Sequence, residues 1–224
     1  METTVRIRLF RLIVFALVTF YFLSNFHPYF WVDQLGWRWR FLTNWAQVLT
    51  LIVAAIMLAR SFGLIKSSGK VTWIDPLVSA TVVLNLLVVV LYWKLHLEDP
   101  SLLRSGDIAI LWWREYYIHL VGPLLQWIDA FVIFGCFRRP VVASTVFATI
   151  FLTYVLWMEM ILRPFSRSPV GDITSGLPYP FLNDMTLNER FVFYGTTLLQ
   201  SLVLVLICTL LAFALRRFAG LGRG

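Results

Sequence analysis

Six long apolar runs, near residues 7–27, 41–62, 72–94, 116–137, 140–162 and 190–215, alternate with short stretches of charged, aromatic, Pro and Gly residues. Each run is long enough to cross roughly 30 Å of hydrocarbon at about 1.5 Å per helical residue. None alternates with the period of two that a membrane strand needs, and lipid leaves no bare backbone group satisfied. The pattern therefore predicts an all-α fold, one transmembrane domain over residues 1–224 built as a bundle of six helices. The first run follows Arg6, Arg8 and Arg11 and shows no small-residue cleavage site before His27-Pro28, so it reads as a retained signal anchor. The two halves share no repeat, which gives an inverted-repeat transporter no support.

Composition agrees: 59% of the 224 residues are apolar and 14% charged, more apolar surface than a soluble core of this size hides. Charge then orients the bundle. The N-terminal tail, the 2–3 loop, the 4–5 turn and the C-terminus carry 11 Lys and Arg against two acids, while the other three loops carry eight of each. The positive-inside rule places both termini in the cytoplasm, so the net charge of +7 is a topology signal and not a nucleic-acid patch. With 16 Arg to three Lys, the chain reads as bacterial, from a cytoplasmic membrane. Cys136 and Cys208 are expected within apolar helices as buried thiols, with neither metal spacing nor a disulfide.

Chemistry is sought among polar residues inside the runs. Asp129, midway along helix 4, should face the bundle interior, with Asn85 or Tyr154 as packing partner, because no basic residue is expected at its depth. Glu159 stands four residues before Arg163, adequate for an interfacial ion pair. In helix 2, Thr43, Gln47 and Thr50 share one face; in helix 4, Glu115, His119 and Gln126 form a second polar stripe from the same surface. A hydroxyl becomes a nucleophile when a neighbouring base takes its proton, and His is the usual base near neutral pH. Thr on a membrane helix also commonly bonds its own backbone. His27, His96 and His119 all fall at exoplasmic helix ends, which admits a metal or haem site, although no two have an i,i+3 or i,i+4 spacing.

Three stretches resemble the androgen-induced, FAR-17a-like family of integral-membrane hydrolases. They are Gly36-Trp37-Arg38-Trp39-Arg40-Phe41-Leu42-Thr43, Tyr117-Ile118-His119-Leu120-Val121-Gly122-Pro123, and Pro178-Tyr179-Pro180-Phe181-Leu182 continuing to Arg190-Phe191-Val192-Phe193-Tyr194-Gly195. The resemblance implies a threonine hydrolase of fatty-acid esters of hydroxy fatty acids, with Thr43 as nucleophile and His119 as base. It departs from the animal members in having Glu115 where they carry Asn, in the position of the Pro after His119, and in a longer segment from Arg163 to Gly176.

The expectation is thus a lipid ester entering laterally near the exoplasmic face and cleaved through an acyl-threonine. Glu115 or Asp129 would orient His119, and Gln47 and Gln126 would support the pair or the substrate. Arg38 or Arg40 would hold a substrate carboxylate or phosphate, or simply snorkel at the interface. The oxyanion donors are not identified, with first-turn amides of helix 2 as candidates. No metal or organic cofactor is required, and membrane lipids are the expected partners. A membrane acyltransferase using the same pair, and a non-enzymatic lipid-, metal- or haem-binding protein, are the rival readings.

Overall fold

The computed structural model describes residues 2–27, 35–65, 73–103, 111–166, 176–218 and 220. Six helices are long and apolar enough to cross a membrane, and the chain is an integral membrane protein. They are α1 (Glu2–Ser24), α2 (Leu42–Ser61), α3 (Ile74–Glu98), α4 (Trp112–Phe134), α5 (Pro140–Phe165) and α6 (Leu187–Phe218). No strand occurs among the described residues. Asp33, Lys66, Lys70, Arg104, Asp107, Arg167, Asp172 and Arg223, counted in the loop and terminal charges, lie outside them, as does most of the long segment after Arg163.

α3 is the central helix and packs against α2, α4, α5 and α6, while α1 lies on α2 and α4. The small and β-branched run Ser79-Ala80-Thr81-Val82-Val83 is fully buried there, because short side chains let neighbouring backbones approach. α1 and α6 instead leave Leu12, Phe20, Leu206 and Phe213 exposed. In a bilayer those side chains meet lipid tails as apolar as themselves, so contact shape and interhelical hydrogen bonds determine the association.

Several expectations need correction. α1 starts before residue 7 and takes Arg6, Arg8 and Arg11 into the helix. Arg11 is therefore a buried basic residue within reach of Asp129, contrary to the expected absence of one. Its guanidinium donates to Asp129 Oδ1 and Oδ2 at 2.8–3.1 Å and to the Met57 carbonyl at 3.2 Å. Asn85 instead donates to Thr50 Oγ1 and Gln126 Oε1, and Tyr154 to the Arg40 carbonyl. α4 ends at Phe134 because Gly135 (φ 72°) and Phe137 (φ 60°) turn left-handed. Cys136 consequently sits in the buried 4–5 turn and not in a helix, whereas Cys208 does lie within α6. Asp75, counted only as a loop acid, is buried and accepts the Arg138 and Arg139 amides of that turn at 3.1–3.2 Å.

Three stretches wind as π-helix: Tyr117–Val121, Ile128–Phe134 and Trp157–Leu162. They contain His119, Asp129 and Glu159 respectively, three of the ionisable residues inside the spans. A π turn widens the helix and shifts the register of everything beyond it, and such turns concentrate where a side chain must be re-aimed. Glu159 lies in the third of these stretches. Its main partner is Arg190 at 2.7 Å, with the Tyr194 hydroxyl at 2.9 Å, while the expected Arg163 contact is a longer 3.5 Å on an exposed side chain.

Candidate functional site

The approach to Thr43 is built by a tight turn. Gly36 (φ 79°) and Trp37 (φ 43°) are left-handed, and a short 3-10 turn over Trp37–Arg40 leads into α2. A Cβ on Gly36 would come within 2.7 Å of Leu162 and 3.1 Å of Trp157, so both conformation and close packing on α5 require glycine. Arg40 anchors the turn. Its fully buried guanidinium donates to the Leu35 carbonyl (3.0 Å), Ser166 Oγ (3.1 Å) and the Gly176 carbonyl (2.9 Å). It neither snorkels nor lines the cavity described next. Burial lowers its pKa from the ordinary guanidinium value.

Thr43, in the first turn of α2, borders a partly open cavity of about 620 Å³, counted with the open space at its mouth. The walls come from α3 (Val88, Leu91, Tyr92), α5 (Phe151, Tyr154, Val155), the segment before α6 (Tyr179, Phe181) and α6 itself (Tyr194, Thr197). They are almost wholly hydrocarbon and aromatic ring, the surface an acyl chain fits. Helical threonines in this chain generally donate to the carbonyl four residues back, as Thr50 does to Ala46 and Thr81 to Leu77, each at 2.8 Å. For Thr43 that carbonyl belongs to Trp39, and it already accepts from Trp45 Nε1 (3.0 Å) and Trp157 Nε1 (3.2 Å). Among the described residues Thr43 Oγ1 makes no hydrogen bond, and Thr43 lines the cavity.

Two tyrosines order the wall around it. Tyr179 Oη accepts the Leu42 amide, one peptide before Thr43, at 3.2 Å. Tyr154 donates to the Arg40 carbonyl at 2.8 Å. Burial raises the Tyr179 phenol above its usual range, while the Leu42 amide pulls it down. Asn183 pins this segment by donating to the Leu177 and Tyr179 carbonyls at 3.0 and 3.1 Å.

His119 is buried behind the cavity wall. Its ring stacks face to face on Tyr92, with centroids 3.6 Å apart and planes 3° apart, and His96 is parallel on Tyr92 at 5.6 Å. Tyr92 lines the cavity; His119 does not. His119 Nε2 faces Glu115 Oε2 at 3.4 Å, and Glu115 also faces Arg114 at 3.8 Å. Thr43 and His119 share no hydrogen bond, and the Tyr92 ring adjoins both the imidazole and the cavity.

The remaining predicted site residues fall elsewhere. Gln47 accepts from Asn25 at 2.8 Å, and Asn25 in turn accepts from Arg114. Gln126 joins Asn85 and Thr50 in a polar cluster deeper in the bundle. Asp129 belongs to Arg11 and does not touch His119. Arg38 is half-buried and caps the turn with its carbonyl, which accepts the Phe41 amide. Among the described residues no group of three or more His, Cys, Asp or Glu side chains is placed to hold a metal ion. Sequence reasoning missed Tyr92 and Asn25 and gave Tyr154 and Arg11 other roles. A tyrosine or asparagine in an apolar run gives no local signal of which helix it faces.

Comparison with curated proteins gives no match, and neither does comparison with solved structures. The family model described as FAR-17a/AIG1-like protein matches residues 3–212, nearly the whole chain, including all three stretches noted in the sequence. The chain belongs to the FAR-17a/AIG1-like family.

Proposed function

We propose that this protein is an integral-membrane threonine hydrolase that cleaves lipid esters, such as fatty-acid esters of hydroxy fatty acids. The observation that carries the reading is Thr43, whose hydroxyl makes no hydrogen bond among the described residues and which stands in the wall of an apolar cavity of acyl-chain character. Thr43 Oγ1 attacks the ester carbonyl, and its proton passes to His119, which returns it to the leaving alcohol. Water then clears the acyl-threonine by the reverse sequence. The proton route runs past Tyr92, through one bridging water or a swing of that ring, because Tyr92 adjoins both the cavity and the imidazole. Glu115 holds the His119 ring by its Nε2 and stabilises the imidazolium that forms. Transfer to a lipid alcohol instead of water would use the same residues and is distinguished by product.

The Tyr92 wall favours one other reading, a lipid-binding protein whose cavity holds an acyl chain without cleaving it. Labelling with a lipid-like fluorophosphonate separates the two. Labelling mapped to the Thr43 peptide, lost in Thr43→Ala and weakened in His119→Ala, is expected of the hydrolase. Unlabelled protein that copurifies with bound lipid means the binding reading.

A further inference from the structure

A carbonyl attacked by Thr43 passes through a tetrahedral oxyanion, and a site without donors aimed at that oxygen gives little acceleration. The cavity walls are poor in donors. The Tyr194 proton is committed to Glu159 Oε1 at 2.9 Å, and the Tyr154 proton to the Arg40 carbonyl at 2.8 Å. Tyr179 differs. Its oxygen receives the Leu42 amide at 3.2 Å, so its own proton points away from that amide, and Tyr179 lines the cavity. Leu42 precedes Thr43, so the phenol stands at the N-terminal end of α2, and Tyr179 and Thr43 line the same cavity. The amide donation polarises the phenol, and the helix terminus adds positive potential where an oxyanion would form. The phenol is also held in place: its ring packs edge-on against Phe41 with centroids 5.9 Å apart, and Asn183 fixes its carbonyl.

From this geometry we infer that Tyr179 is a catalytic residue, the hydroxyl donor to the oxyanion formed when Thr43 attacks an ester. The inference rests on the proposed nucleophilic role of Thr43. As the Thr43 Oγ1–carbon bond forms, the carbonyl electron pair moves onto oxygen and is met there by the Tyr179 O–H, which donates a hydrogen bond and keeps its proton. When the pair returns, the bond to the alcohol oxygen breaks, and that oxygen takes the proton removed from Thr43. The same donor serves the second, water-driven half-reaction. The substrate must therefore place its carbonyl between α2 and the Tyr179 segment, with its acyl chain toward Phe151 and Val155.

The test uses the full chain in lipid nanodiscs, with p-nitrophenyl decanoate as probe substrate and fluorophosphonate labelling mapped by mass spectrometry. Tyr179→Phe is expected to lower kcat about a hundredfold with KM within about threefold, while Thr43 is still labelled, more slowly. A trifluoromethyl ketone, which forms a tetrahedral adduct, should weaken in parallel with kcat; a purely structural role for Tyr179 would not produce that match. A kcat within about threefold of wild type, with Thr43 labelled, overturns the assignment and leaves the nucleophile standing. Wild-type protein unlabelled at Thr43 removes the nucleophile and the donor together. If Tyr179→Phe does not fold, a difluorinated tyrosine at 179 keeps the ring and lowers its phenol pKa. The alkaline limb of the kcat profile should then move to lower pH, and an unmoved limb overturns the assignment.

Discussion

Arg11 in α1 and Asp129 in α4, 118 positions apart, form a buried ion pair with Arg11 Nη2 2.8 Å from Asp129 Oδ1. Both side chains are about nine-tenths buried, so the attraction is little screened, and each charge is costly without the other. The remaining guanidinium N–H capacity reaches the Met57 carbonyl, which ties α2 to the same pair.

Removing one partner should therefore be far worse than removing both. Arg11→Met or Asp129→Leu alone is expected to cost about 3–5 kcal/mol, and the double variant Arg11→Met/Asp129→Leu to recover most of it. Unfolding in detergent, followed by tryptophan fluorescence, gives the cycle. Additive losses would mean that the pair is uncoupled.

Glu159 offers a contrast within one residue. Its buried contact with Arg190 and Tyr194 should matter, and its contact with the half-exposed Arg163 should not. Glu159→Gln is expected to cost about 2 kcal/mol, and Arg163→Ala less than about 0.5 kcal/mol. Thermal unfolding of the two variants side by side reads the difference.

Gly36 has two reasons to be glycine, its left-handed φ and the contact with Leu162. Gly36→Ala is expected to cost about 1–3 kcal/mol and to lower esterase activity more than the stability loss explains, because the turn it distorts aims Thr43. Hydrolysis at a temperature where the variant stays folded tests this.

The cavity makes a prediction about chain length. Val155→Phe places extra bulk in the wall, and each methylene it excludes forfeits about 0.8 kcal/mol. Two excluded methylenes should lower kcat/KM for the longest accepted chain about tenfold while short esters are unaffected. A series of p-nitrophenyl esters of increasing length measures the shift, and a uniform loss across the series would mean that the acyl chain lies elsewhere.

Thr43→Ser should retain measurable turnover of the same esters, whereas Thr43→Ala and His119→Ala should fall at least about a hundredfold, the scale of general-base assistance. Retained hydrolysis in Thr43→Ala would place the nucleophile at another residue.

The sequence by itself determined the six spans and the all-helical class, because spanning hydrocarbon demands long apolar helices whatever they pack against. It also brought the Tyr-Pro-Phe-Leu stretch and the Thr43 turn to attention. It placed Thr50, Gln126 and Asn85 within a membrane interior, where polar groups must pair, and the structure joins these three in one cluster. What only the tertiary structure decided is lateral. Lipid-facing and protein-facing sides of these helices are both apolar, so periodicity does not tell which side turns inward or which helix lies next to which. That is why Arg11 escaped notice as the partner of Asp129, and why Tyr92 emerged between the Thr43 cavity and His119. The π turns at His119, Asp129 and Glu159 add a register shift that spacing counted on an ideal α-helix does not contain. Tyr179, distant in the chain from Leu42, reaches its amide in a segment that Arg40 holds at the Gly176 carbonyl and Asn183 at the Tyr179 carbonyl.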